Sequence, residues 1–119
     1  MEVAEELEAI GPLVAVHGNN DSPTVCDRYP TEATIELEER TVVLIHGHRG
    51  GRTARAAARA VPQADIVLFG HSHMPGIWCD DGRLLFNPGS PTERRFAPYR
   101  SFGILDIGRD VEASIVRLA

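Results

Sequence analysis

Cysteine is scarce in this sequence: Cys26 and Cys79 are the two, far apart and without the C-x-x-C spacing of a redox or zinc motif. That argues against a disulfide framework and a cysteine-built metal site, and reduced thiols are the expectation. Long apolar runs are missing as well. Thr41–Ile45 and Ile66–Phe69 are among the longest, far short of the roughly 18 residues that span a bilayer. Met1 leads directly into Glu2, Glu5, Glu6 and Glu8 and not into a basic segment followed by an apolar stretch, so nothing indicates export and a cytoplasmic location is the default expectation. Basic residues are outnumbered, 12 against 17 acidic ones, for a formal net charge of −5. This balance argues against a membrane partner and against broad electrostatic capture of nucleic acid. A focused cationic site is still compatible with it, because bound metal ions do not enter a count of side chains. Internal repeats and low-complexity segments are absent too.

With 119 residues, 43% of them hydrophobic, the chain can bury one core and is too short to divide comfortably into two, so residues 1–119 are expected to form a single domain. Glu2 to Ile10 has helical spacing and stops at Gly11-Pro12. Leu13 to Val16 reads as a short buried strand opening into the loop His17-Gly18-Asn19-Asn20-Asp21. Ala33 to Glu39 alternates like an edge strand, Thr41 to Ile45 is continuously apolar like a central one, and Glu39-Arg40 is the expected turn between them. Thr53 to Val61, rich in alanine and arginine with Thr53 as N-cap, predicts a helix. Asp65 to Phe69 predicts another buried strand. Ile77–Cys79 and Leu84–Phe86 flank the hairpin dipeptide Asp81-Gly82, and Phe102–Ile107 and Val111–Leu118 flank Gly108-Arg109-Asp110. The pattern predicts an α/β class: a layered sandwich with mixed β-sheets flanked by helices.

All five histidines, His17, His46, His48, His71 and His73, fall in three short glycine-containing loops, each just after an apolar run. In layered α/β folds ligands gather at the carboxyl ends of strands, so three such loops can converge on one site. Imidazole is the commonest metal ligand among side chains, and a neighbouring glycine leaves room for an ion or its substrate. Taken singly, a histidine near a strand end is usually satisfied by ordinary hydrogen bonds, and His71 with His73 would also suit one structural zinc ion in a closed shell.

The ordered set Gly18-Asn19-Asn20-Asp21, His46-Gly47-His48, Gly70-His71-Ser72-His73 and Asn87-Pro88-Gly89-Ser90 resembles the closing motifs of the calcineurin-like phosphoesterases, in particular their small bacterial and archaeal phosphodiesterase branch. The resemblance runs from Leu13 to the end of the chain. It implies a metal-dependent phosphoester hydrolase acting on a small phosphoester. Asn19, His46, His71 and His73 would be its metal ligands, Asn19, His46 and His71 serving the second ion and His73 the first. A mixed shell of this kind suits Mn²⁺, Fe²⁺, Ni²⁺ or Zn²⁺, with manganese the leading candidate. Two such ions, about 3.5–4 Å apart, lower the pKa of a shared water and clamp phosphoryl oxygens during in-line attack. His48 would approach the substrate or hydrogen-bond a ligand, and His17 is read as structural. Arg49, Asn87 and Ser90 would bind substrate; Arg52, Arg94 and Arg95 are further arginines that could reach phosphate oxygens or stay solvated.

The resemblance departs from the family at two places. The opening Asp-x-His and Gly-Asp motifs, which supply the other ligands including a bridging carboxylate, have no counterpart here, and Asp21, Asp65 and Asp80 are not substitutes by position. The chain therefore reads as the later two-thirds or more of a family domain, its sheet edges in need of cover that a second copy could provide. Asn20, beside the ligand asparagine, stands where the wider superfamily has a histidine acid, and an amide cannot donate that proton. The rival expectation is a non-catalytic protein-binding scaffold of the same fold with a degraded metal site, like the retromer subunit.

Overall fold

The computed structural model describes residues 2–10, 13, 14, 16, 30, 32–46, 59, 61–70, 73–80, 82–92 and 97–118. Helix α1 spans Glu2–Ile10 and ends where the Gly-Pro pair forbids another turn. The strand expected next does not form. Leu13, Val14 and Val16 are outside any strand, and neither sheet formed by the described residues includes them. Short apolar residues need a neighbouring ladder to become a strand, and among the described residues none is offered.

Five strands make one mixed sheet in the order β1-β2-β3-β5-β4, built from β1 (Glu32–Leu37), β2 (Arg40–Ile45), β3 (Ile66–Leu68), β4 (Gly76–Asp80) and β5 (Arg83–Asn87). The edge and central roles read from the sequence hold: β1 lies at one edge with alternating exposure, while Val42 and Val43 on β2 are both buried. The β1–β2 turn is displaced by one residue from expectation. Leu37 pairs with Arg40, so the tip is Glu38-Glu39, at φ 49° and 63°. Two positive φ values give the tight two-residue connection whose twist matches antiparallel strands.

Strands β2, β3 and β5 run parallel, in the register Val42–Ile66–Leu84 through Leu44–Leu68–Phe86. Asp65 staples their amino edge: its amide donates to Thr41 O at 2.9 Å, its Oδ2 accepts from Thr41 N at 2.8 Å and its carbonyl accepts from Leu84 N at 3.0 Å. One face of the sheet carries the core of Val43, Val61, Ala64, Val67, Phe69 and Leu85. Of the expected helix over 53–61, Arg59 is helical and Val61 lies beyond it; the rest falls outside the described residues.

The β4–β5 hairpin closes Asp80 on Arg83, with Gly82 at φ 78°. β6 (Arg100–Ile107) and β7 (Val111–Leu118) form a separate two-stranded ribbon around 108–110. The ribbon is fastened to the sheet at both ends. At the amino edge of β2, Arg40 donates to the carbonyls of Gly108 and Arg109, each at 2.8 Å. At the carboxyl edge of β5, Gly103 passes so close to Phe86 that a Cβ there would lie 2.5 Å from its ring. Among the described residues no helix is long and apolar enough to cross a membrane.

Candidate functional site

Because β2, β3 and β5 are parallel and adjacent, the segments that follow them leave the sheet side by side at one edge. Extending the register places Ile45, Phe69 and Asn87 in one row and His46, Gly70 and Pro88 in the next. Two backbone hydrogen bonds carry the ladder past the strands: Phe69 N donates to Phe86 O and Gly70 N donates to His46 O, both at 3.0 Å. The histidine after β2 is thus tied to the glycine that opens Gly70-His71-Ser72-His73.

His46 and His73 are both half-buried. His73 sits at φ 63°, a left-handed conformation that costs an L-residue roughly 1–2 kcal/mol. Such backbone strain clusters at functional sites. Gly70 needs neither of glycine's usual justifications. Its φ is not in the left-handed range, and among the described residues a Cβ there would meet only His46 O, at an ordinary 3.6 Å. A Cβ at Gly70 would therefore meet no clash among the described residues. His46 follows β2 directly and His73 follows β3, the parallel strand beside it, and imidazole is a donor type that suits a borderline divalent ion.

The turn after β5 is held by side-chain hydrogen bonds. Asn87 is fully buried, and its Oδ1 accepts from Gly89 N at 3.0 Å, closing an Asx turn. Ser90 is half-buried, and its Oγ accepts from Thr92 N at 3.4 Å. A buried residue that sequence reasoning missed fixes the same turn from the far side: Ser101 Oγ donates to Pro88 O at 2.8 Å and Ser101 N donates to Ser90 O at 2.9 Å. The strand read from the sequence begins at Phe102, so nothing local marked Ser101 as an inward position.

Trp78 lies on the flank of the edge, its ring 5.8 Å from that of Phe69 and folded over Gly76, the residue paired with Asn87. Cys79 is free and exposed. Asp65 is at the opposite edge of the sheet, engaged with Thr41. His17, Asn19, Asn20, Asp21, His48, Arg49, Arg52, His71, Arg94 and Arg95 lie outside the described residues. Among the described residues no group of three or more His, Cys, Asp or Glu gathers around a point that could hold an ion.

The calcineurin-like phosphoesterase superfamily domain matches residues 1–110. A probable metallophosphoesterase of Methanothermobacter thermautotrophicus is 31% identical over 119 residues, covering 98% of this chain and 69% of the relative. The phosphodiesterase YfcE of Escherichia coli is 32% identical over 111 residues, covering 88% of this chain and 59% of the relative. The zinc complex of Vps29 from Entamoeba histolytica superposes with a TM-score of 0.77 at 22% identity, over 98% of this chain and 75% of that one, a likeness of fold. The chain thus spans between 59% and 69% of the length of these two sequence relatives. With the mixed sheet and a domain match over nearly the whole sequence, the chain belongs to the calcineurin-like phosphoesterase superfamily.

Proposed function

We propose that this chain is a metal-dependent phosphoester hydrolase of the phosphodiesterase kind, forming one domain whose sheet is flanked by a helix over 53–61. The supporting observation is that adjacent parallel strands deliver His46, Gly70 and the 87–90 turn to one edge, the first two joined by a backbone hydrogen bond. Asn19, His46, His71 and His73 would hold two divalent ions, manganese foremost and iron, nickel or zinc as alternatives. When bound, such ions supply Lewis acidity that acidifies water and draws charge from phosphoryl oxygens. The protein's own share is placement. Arg49 and Ser90 hold phosphate oxygens, and His48 offers a proton-transfer group beside them. Asn20 donates an amide hydrogen bond there, which limits turnover to esters with good leaving groups. Asn87, buried with its side-chain oxygen engaged in the turn, braces the backbone that presents Ser90.

The test is metal content together with hydrolysis of bis(p-nitrophenyl) phosphate by the Mn²⁺-supplemented chain, alongside H46A and H73A. Losing a group that merely supports a ligand costs about 10–100-fold in metal affinity or activity, so each ligand substitution is expected to cost at least the upper end of that range. Each should also lower the bound metal. Hydrolysis by H46A and H73A at the wild-type rate would overturn the assignment, and an inert wild-type chain that keeps its fold would favour the scaffold reading.

A further inference from the structure

Ser101 is fully excluded from solvent on the inner side of β6, and both of its donors reach the same short turn. The hydroxyl takes the carbonyl of Pro88 and the amide takes the carbonyl of Ser90, so one residue grips the backbone on either side of Gly89. Gly89 lies between the two bonds at φ 82°, and a Cβ on it would stand 2.1 Å from Ser101 Oγ. The hydroxyl thus fills the space that the glycine leaves open. A third bond, Gly89 N to Asn87 Oδ1, closes the turn from within.

These bonds have an electrostatic consequence. A carbonyl oxygen facing a phosphate repels it, and a turn at a phosphate-binding edge presents two such oxygens unless something draws them away. A carbonyl that accepts a hydrogen bond from a buried donor directs its negative end toward that donor. Pro88 O and Ser90 O are both directed to Ser101, toward β6 and into the interior. A part-buried acceptor that loses its donor is costly to leave unmade, so the Pro88 carbonyl is what removal of the hydroxyl releases.

We propose that Ser101 is a positioning residue for phosphoester binding: it holds the acceptors of the 87–90 turn away from the substrate so that this edge can receive an anion. The inference rests on the phosphoesterase reading and adds to it a residue that touches neither substrate nor ion. Removing the hydroxyl weakens capture of the phosphate group in ground state and transition state alike, which raises KM and leaves kcat nearly unchanged.

The experiment compares the full chain with S101A and S101T, all supplied with Mn²⁺. It measures KM and kcat for bis(p-nitrophenyl) phosphate, bound metal, and hydrogen exchange at the Gly89 amide. S101A is expected to raise KM about 10-fold, to hold kcat within about 2-fold and to keep its metal. Exchange at Gly89 should accelerate about 10-fold as the turn loosens. S101T keeps the donor and is expected to return KM to within about 3-fold of wild type. Wild-type KM in S101A would overturn the inference, as would a raised KM accompanied by lost metal in both variants, which marks general damage. If the wild-type chain binds metal but hydrolyses nothing, the phosphoesterase reading fails separately. Gly89 exchange then decides the inference alone: unchanged exchange in S101A overturns it, and acceleration supports the grip of Ser101 on the turn.

Discussion

At Gly89 an L side chain would meet two penalties at once, one from the left-handed φ of 82° and one from the Oγ of Ser101, which a Cβ would approach to 2.1 Å. Gly82, at φ 78°, meets only the first, since nothing lies within 4 Å of its hypothetical Cβ. The pair separates backbone strain from packing. G82A should cost about 1–2 kcal/mol and G89A about 2–5 kcal/mol, the second combining backbone strain with overpacking. Urea denaturation checks this through the midpoints, and equal losses at the two positions would remove the case for a packed turn at 87–90. The turn itself was legible in the sequence, because Asn-Pro-Gly-Ser states its chemistry locally: an Asx acceptor, a fixed φ and a residue free to go left-handed. Ser101 was not, since its partners are 11 and 13 residues away and no local pattern encodes a bond across two strands. The strain at His73 was hidden for a related reason. Histidine signals a positive φ far more weakly than the glycines at Gly82 and Gly89 do.

Elements were legible where periodicity and turn chemistry agreed. Asp81-Gly82 gave the β4–β5 hairpin and Gly108-Arg109-Asp110 the ribbon turn, each with strand limits within a residue or two of those expected. The β1–β2 tip moved from Glu39-Arg40 to Glu38-Glu39 because two glutamates adopt φ values that their composition does not advertise. Leu13, Val14 and Val16 show the opposite failure, belonging to an apolar run with strand character and no described neighbour to pair with. The element scale also predicts where stability concentrates. Leu85, 2% exposed at the centre of β5, packs in the core on the face opposite the ribbon, whereas Leu37, 43% exposed, ends the edge strand β1. L85A should therefore destabilise by about 2–5 kcal/mol and L37A by less than about 1 kcal/mol. Chemical denaturation of the two variants decides it, and comparable losses would mean that the sheet does not bury its centre as described.

For the molecule as a whole, the sheet order sets two histidine-bearing segments that are distant in sequence after adjacent strands. His46 and His73 are separated by 27 residues in sequence yet follow adjacent parallel strands, so folding assembles the proposed ion site and the unfolded chain does not hold it. Binding and folding are then linked: an ion that prefers the folded chain stabilises it by about 2.7 kcal/mol at 100 times its dissociation constant. For a chain of this size that amounts to roughly 10 °C in the melting temperature. Mn²⁺ added to chelator-treated protein should produce an increase of this order that saturates with concentration, and H73A should remove most of it. Leu37 is far from the edge in question, and L37A should keep the full increase. Equal increases for wild type and H73A would assign the ion to some other place. No increase with Mn²⁺, Fe²⁺, Ni²⁺ or Zn²⁺ would leave the superfamily fold standing while withdrawing the two-ion site from this chain, because a ligand with no preference for the folded state cannot shift the equilibrium at any concentration.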